Sequence, residues 1–135
     1  MTHPQLFDEN DQVLARVRRI ARRLPGTAEK VSHGRPAFFT TKVFAYYGGS
    51  VKVDGAYVQH PKSVMVLLDP DERTALVADA RCYVPAYLGP SGWLGIDLEE
   101  ADWSEVAESI ESSYRRTARR SLVAELEGRA AAQDR

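Results

Sequence analysis

Residues 81–103 read RCYVPAYLGPSGWLGIDLEEADW, and this stretch decides the fold. A strand-like run at Arg81–Val84 halts at Pro85, whose ring removes a ladder donor and fixes φ. A turn follows in which Gly89 and Gly92 supply freedom for positive φ and Pro90 supplies rigidity. A second strand-like run, Trp93–Leu98, leads to Asp102. That residue stands where a helix N-cap is needed, with Glu105 three positions on in the manner of a capping box. Strand, turn, strand and capped helix in this order are the second half of an α+β pattern. The turn itself admits two readings. It is a structural crossover that docks the sheet on the last helix through Trp93 and Trp103, or it is the floor of a pocket with Tyr87 as a hydrogen-bonding wall.

Working towards the N-terminus, Asp69-Pro70 opens a short helix to about Ala78, with Asp69 as cap and Pro70 at the first helical position. Before it, Ser63–Leu68 carries a Val-Met-Val-Leu-Leu run suited to a buried central strand. Asp54-Gly55 between Val51–Val53 and Ala56–Val58 is a two-residue hairpin signal. Phe38–Thr40 and Val43–Tyr47 form another hairpin over Thr41-Lys42, and Gly48-Gly49 is read as a further turn. A strand over Ala28–His33 is broken by Gly34-Arg35-Pro36. Asp8 is read as the cap of a first helix running to about Arg23 and ended by Pro25-Gly26. Val13, Leu14, Val17, Ile20, Ala21 and Leu24 make its apolar stripe, while Arg16, Arg18, Arg19, Arg22 and Arg23 lie on the opposite arc and are expected to be exposed.

In the other direction, Trp103, Val106, Ala107, Ile110, Tyr114 and Ala118 share one face of the last helix, with Trp103 expected to be largely buried. Arg115, Arg116, Arg119 and Arg120 gather where cations suit the helix dipole. From about residue 127 the tail is expected to fray. The whole pattern predicts one α+β domain over residues 1–135. Its antiparallel sheet carries the first and last helices on one face, with one short extra helix.

Composition agrees with a globular domain: 44% of the 135 residues are hydrophobic and 27% are charged. No apolar run approaches the roughly 20 residues needed to span a bilayer, so no membrane association is expected. The start lacks the order of a signal peptide, and Cys82 is the sole cysteine, so a cytoplasmic home is expected. Residues 1–62 hold 10 Lys/Arg against 5 Asp/Glu, while residues 63–135 hold 8 against 14. Such halves can form a basic and an acidic face, or pair head to tail between chains, and the oligomeric state stays open.

The segments HGRPAFF at 33–39, KVFA at 42–45, VPAYLGPSGWLGIDL at 84–98, ADW at 101–103 and SYRRTA at 113–118 resemble the MmcQ/YjbR-like family over almost the whole chain. The resemblance implies a frataxin/CyaY-like fold, with two helices against an antiparallel sheet. It also implies a predicted DNA-binding role through a double wing, and one namesake is linked to a mitomycin gene cluster. GGSVKVDGAYVQHP at 48–61 matches no motif of that family.

Two binding roles follow. In the first, hairpins at Thr41-Lys42 and Asp54-Gly55 are wings, and Arg35, Lys42, Lys52 and Lys62 contact DNA phosphates, with Arg16, Arg19 and Arg23 extending the footprint. The sequence pI of about 6.3 makes such binding weak, micromolar or poorer at physiological salt. In the second, a planar aromatic drug or metabolite sits in a pocket of His33, Tyr87 and Trp93, with Tyr46, Tyr47 and Tyr57 adding stacking surface. His33 and Arg35 suit proton transfer and anion binding, or else a local hydrogen bond and an ion pair of purely structural use.

An enzymatic role has less support, because no nucleophile–base pair is readable and Cys82 reads as a small core residue. No phosphate-cradling glycine loop appears, and the three histidines lack metal-site spacing, so no cofactor or metal is expected. Iron, which the frataxin-like fold would hold on an acidic ridge near its first helix, is not expected on a helix studded with arginine.

Overall fold

The Val-Met-Val-Leu run at 64–67 lies at the centre of the sheet. A computed structural model of the chain describes residues 4–133. In chain order the elements are α1 (Gln12–Arg22), β1 (Ala28–Ser32), β2 (Arg35–Phe39), β3 (Val43–Val53), β4 (Ala56–Leu67), α2 (Pro70–Leu76), β5 (Cys82–Tyr83), β6 (Trp93–Asp97), α3 (Trp103–Thr117) and α4 (Arg120–Gln133). The strands form one antiparallel sheet of order β1-β2-β3-β4-β6-β5. Helices α1 and α3 pack on one face of it.

Alternation along the central strands divides the core in two. Val64 and Val66 of β4, with Leu94 and Ile96 of β6, point to the helices, where Leu14, Val17 and Ala21 of α1 meet Val106, Ile110 and Tyr114 of α3. Met65 and Trp93 point the other way and join Tyr83 in a smaller cluster that no helix covers. Polar ties lock the helices down. The Ser113 hydroxyl donates to Phe44 O at 2.6 Å and accepts from Leu67 N–H at 2.9 Å, so α3 bridges β3 and β4. Tyr114 Oη donates to Pro25 O at 2.6 Å.

Several boundaries differ from the sequence reading. Asp11, not Asp8, caps α1, accepting from Val13 N–H at 2.9 Å. Asp8 instead accepts from Asn10 N–H and shapes the turn before the helix. Arg35 and Pro36 belong to β2, because the turn is made by His33 and Gly34, both at positive φ (52° and 81°). Gly48-Gly49 does not end a strand. It is a bulge inside β3, with Gly48 at φ 83°, and β4 likewise runs through Pro61. The result is one long β3–β4 hairpin turning at Asp54-Gly55, both at positive φ as a tight two-residue turn requires.

The two tryptophans lie on opposite sides of the sheet, so the crossover is not docked on α3 through them. Trp103 is half-buried rather than buried, with the Arg16 guanidinium 4.4 Å from its ring centre. Of the α1 arginines, Arg18 is not exposed: its guanidinium is drawn inward by Glu29 at 2.8 Å and Glu9 at 3.2 Å. The stretch read as a loose tail is helical to Gln133, and residues 134–135 lie outside the described residues. Helix formers fill it, Leu122 and Leu126 pack on the edge of the core, and Arg129 pairs with Glu125 at 3.1 Å. Among the described residues, no helix is long and apolar enough to cross a membrane.

Candidate functional site

The helix-free face is not flat. Tyr83 lies across it so closely that a Cβ on Gly95 would stand 2.1 Å from its ring and one on Gly49 would stand 2.2 Å from its hydroxyl. Glycine at both places makes room for the ring, which stacks on His60 at 4.0 Å and shares a 2.7 Å hydrogen bond with Ser63 Oγ. Beside this plug the face opens into a groove of about 730 Å³, within the range of small-molecule sites.

Each wall of the groove comes from a different part of the chain. Tyr46, Gly49 and Met65 form the floor. Trp93 packs behind Tyr46, their ring centres 5.2 Å apart, and so supports the floor without lining it. The β1–β2 turn gives His33 and Arg35, and the N-terminal segment adds Pro4 and Leu6, pinned by Leu6 N–H to Gly34 O at 2.8 Å. The long hairpin gives Ser50, Tyr57 and Gln59, and the turn before β6 gives Ala86, Tyr87 and Leu88.

That last turn is held to the hairpin by Ala86 N–H donating to Ser50 O at 2.8 Å. Tyr87 and Tyr57 share a hydrogen bond between their hydroxyls and stack with ring centres 5.9 Å apart at 23°. Tyr87 has φ 64°, unfavourable for a bulky side chain, and is 81% exposed. An exposed aromatic held in a strained backbone is an arrangement found at binding sites. The hydrogen bond with Tyr57 pushes the Tyr87 phenol up, and burial does the same for Tyr46, so both are neutral hydroxyls at neutral pH.

Arg35 is a cation set into the groove wall. Its Nη2 donates to Gln59 Oε1 at 2.5 Å. Among the described residues it forms no ion pair with a carboxylate. Burial lowers its pKa from the ordinary arginine value, a shift that leaves it charged in water. Gly48 clears the space for it: a Cβ there would stand 2.6 Å from Arg35 Nη1.

The groove thus brings together His33, Arg35 and Tyr87 from the sequence reading, with His33 exposed on the rim. Lys52 lies near the hairpin tip, its ammonium 5.8 Å from the Tyr57 ring centre. Lys42 is exposed in the β2–β3 turn, at the end of the sheet away from the β1–β2 and β3–β4 turns. Lys62 is exposed on β4 near Asp11, whose carboxylate its charge favours. Tyr47 adds no stacking surface: it is buried on the helix side and donates to Asp11 Oδ2 at 2.5 Å.

Sequence reasoning missed Gln59, Met65 and Leu88. Only a reading of Gly48-Gly49 as a bulge, which carries β3 onward and brings Gln59 opposite Ser50, would have found Gln59. Burial pushes the Cys82 thiol up, away from thiolate chemistry. No group of three or more His, Cys, Asp or Glu among the described residues is placed to hold a metal ion.

Fold and site together define an α+β protein with an aromatic groove on its helix-free sheet face. The sequence profile of the YjbR family matches residues 22–116, and the chain belongs to that family. No curated protein and no solved structure matches it.

Proposed function

We propose that the protein binds a small planar aromatic molecule in the groove on the helix-free face. The observation that carries this reading is the Tyr57–Tyr87 pair, stacked and joined through its hydroxyls, standing over a floor of Tyr46 and Met65. Aromatic faces attract flat rings, methionine adapts to their outline, and the paired hydroxyls offer a hydrogen bond at the edge. The test is an NMR titration with naphthamide, a neutral flat probe. Shifts confined to Tyr46, Tyr57, Met65 and Leu88 are expected. Tyr87→Ala should weaken binding roughly tenfold, the scale of one good aromatic contact, at an unchanged melting temperature. An absence of shifts at millimolar probe would sink the proposal.

Nucleic acid is the second reading, favoured by one observation: beyond Gly49 the β3–β4 hairpin is mostly exposed and carries Lys52 near its tip. The two wings of a double-wing reading would be the turns at Lys42 and at Asp54-Gly55. They lie at opposite ends of β3, roughly 35 Å apart at the usual rise per residue, so a duplex would touch both only by lying along the strand. Anisotropy with duplex and single-stranded oligonucleotides at about 50 and 200 mM salt tests it. Binding lost in Lys52→Ala supports a DNA-binding arm, and no binding at the lower salt removes it.

A further inference from the structure

We infer that the groove selects anions, with Arg35 as the anchor for a carboxylate, or a like oxyanion, carried on the edge of the planar ligand. The inference rests on the groove reading above and adds the charge of what enters.

The contrast with Arg18 and Arg81 carries the argument; Arg73 on α2 is also half-buried without an ion pair among the described residues, but it does not line the groove. Arg18 meets Glu9 and Glu29, and Arg81 meets Asp79 and Glu105. Arg35 is half-buried too, yet among the described residues it forms no ion pair with a carboxylate and donates to the neutral amide oxygen of Gln59. A guanidinium withdrawn from water without a counter-charge is costly unless something else supplies one. Of its five N–H donors, the described residues take up only one on Nη2, so Nε and Nη1 keep donors to offer. The planar fork matches a carboxylate in two parallel bonds.

The surroundings fit this use. Gln59, itself on the groove wall, orients the guanidinium through Nη2. Gly48 leaves the space beside Nη1 open, where any side chain would crowd it. Among the described residues no Asp or Glu lines the groove to repel an incoming anion. The aromatic pair Tyr57 and Tyr87 and the cation Arg35 line the same groove, so a flat ring with an acidic edge can satisfy both at once.

Isothermal titration with three probes tests this: naphthoate, its neutral counterpart naphthamide, and acetate, which has the charge without the ring. Wild-type protein is expected to bind naphthoate at least about tenfold more tightly than naphthamide, the scale of one charge-assisted hydrogen bond, and to bind acetate more weakly than either. Arg35→Gln should abolish the preference, weakening naphthoate far more than naphthamide. Arg35→Lys, which keeps the charge and loses the fork, should retain only part of it, and it gives the same comparison if Arg35→Gln fails to fold. Equal affinity for naphthoate and naphthamide in the wild type, or equal weakening of both in Arg35→Gln, would overturn the anion inference and leave the groove reading standing. If neither ring binds, the groove reading falls and this one with it. Acetate binding as tightly as naphthoate would show an anion site without aromatic selection, which also overturns the planar-acid class.

Discussion

At the scale of single residues, charges are handled in two opposite ways. Asp11 is fully used: it caps α1 and accepts from Tyr47 Oη. Burial raises its pKa, but the hydrogen bonds from Tyr47 and Val13 outweigh this and hold the carboxyl below its ordinary 3.8. A depressed folded pKa contributes stability above the unfolded value, and that stability is lost as pH falls through the folded one. Tyr47→Phe should therefore cost about 1–3 kcal/mol near neutral pH. The gap to wild type should narrow below about pH 4, as chemical denaturation across pH would record. Arg35 is the reverse case, a charge that among the described residues has no carboxylate ion pair to offset its desolvation. Arg35→Gln is expected to leave the unfolding midpoint unchanged or raise it slightly, since groups kept for binding often cost stability. A purely structural Arg35 would instead lower it on substitution. Arg35 is legible in HGRP, because a guanidinium can hold an anion bidentately. Gln59 carries no such signal, lying in a hairpin arm whose length is set by the Gly48-Gly49 bulge and not by local sequence.

At the scale of elements, two of the three caps and the Asp54-Gly55 turn were legible, while the α1 cap fell on Asp11 rather than Asp8 and the bulge was not legible at all. Asp69-Pro70, Asp54-Gly55 and Asp102 acted as their local chemistry dictates. Gly48-Gly49 has the composition of a turn, and only pairing with β4 makes it a bulge, so tertiary context overrides the local signal. The bulge also serves the site, because Gly48 at positive φ leaves Arg35 Nη1 its space. Gly48→Ala should strain the backbone and displace the guanidinium. Its expected effect is a loss of about 1–2 kcal/mol in stability, together with a reduced preference for naphthoate over naphthamide. The two measurements separate the groove from the scaffold. Strain alone would lower stability and leave the preference intact.

At the scale of the whole molecule, the two sheet faces divide the work. Amphipathic stripes on α1 and α3 made the helix face readable, since both needed one apolar partner and the sheet supplies it. The open face was not readable, because its walls come from the N-terminal segment, the β1–β2 turn, the long hairpin and the turn before β6. No local pattern records which of these meet. The division also explains why Trp93, placed in a pocket by its chemistry, supports Tyr46 from behind, and why Trp103 is half-buried at the rim of the other face. It leads to a paired expectation. Ile110 is fully buried between α3 and the sheet, and Ile110→Ala should cost about 2–5 kcal/mol. While the protein stays folded, its affinity for naphthamide should be unchanged, because Ile110 does not line the groove. Tyr87→Ala should do the opposite, weakening the probe while leaving the melting temperature in place, because an exposed ring at strained φ contributes little to the core. Sites that share no partner act additively, so the double variant should show both losses at their single-variant sizes. A large coupling between them would mean that the open face is continuous with the core, and the groove would then be a property of the fold rather than a site built upon it.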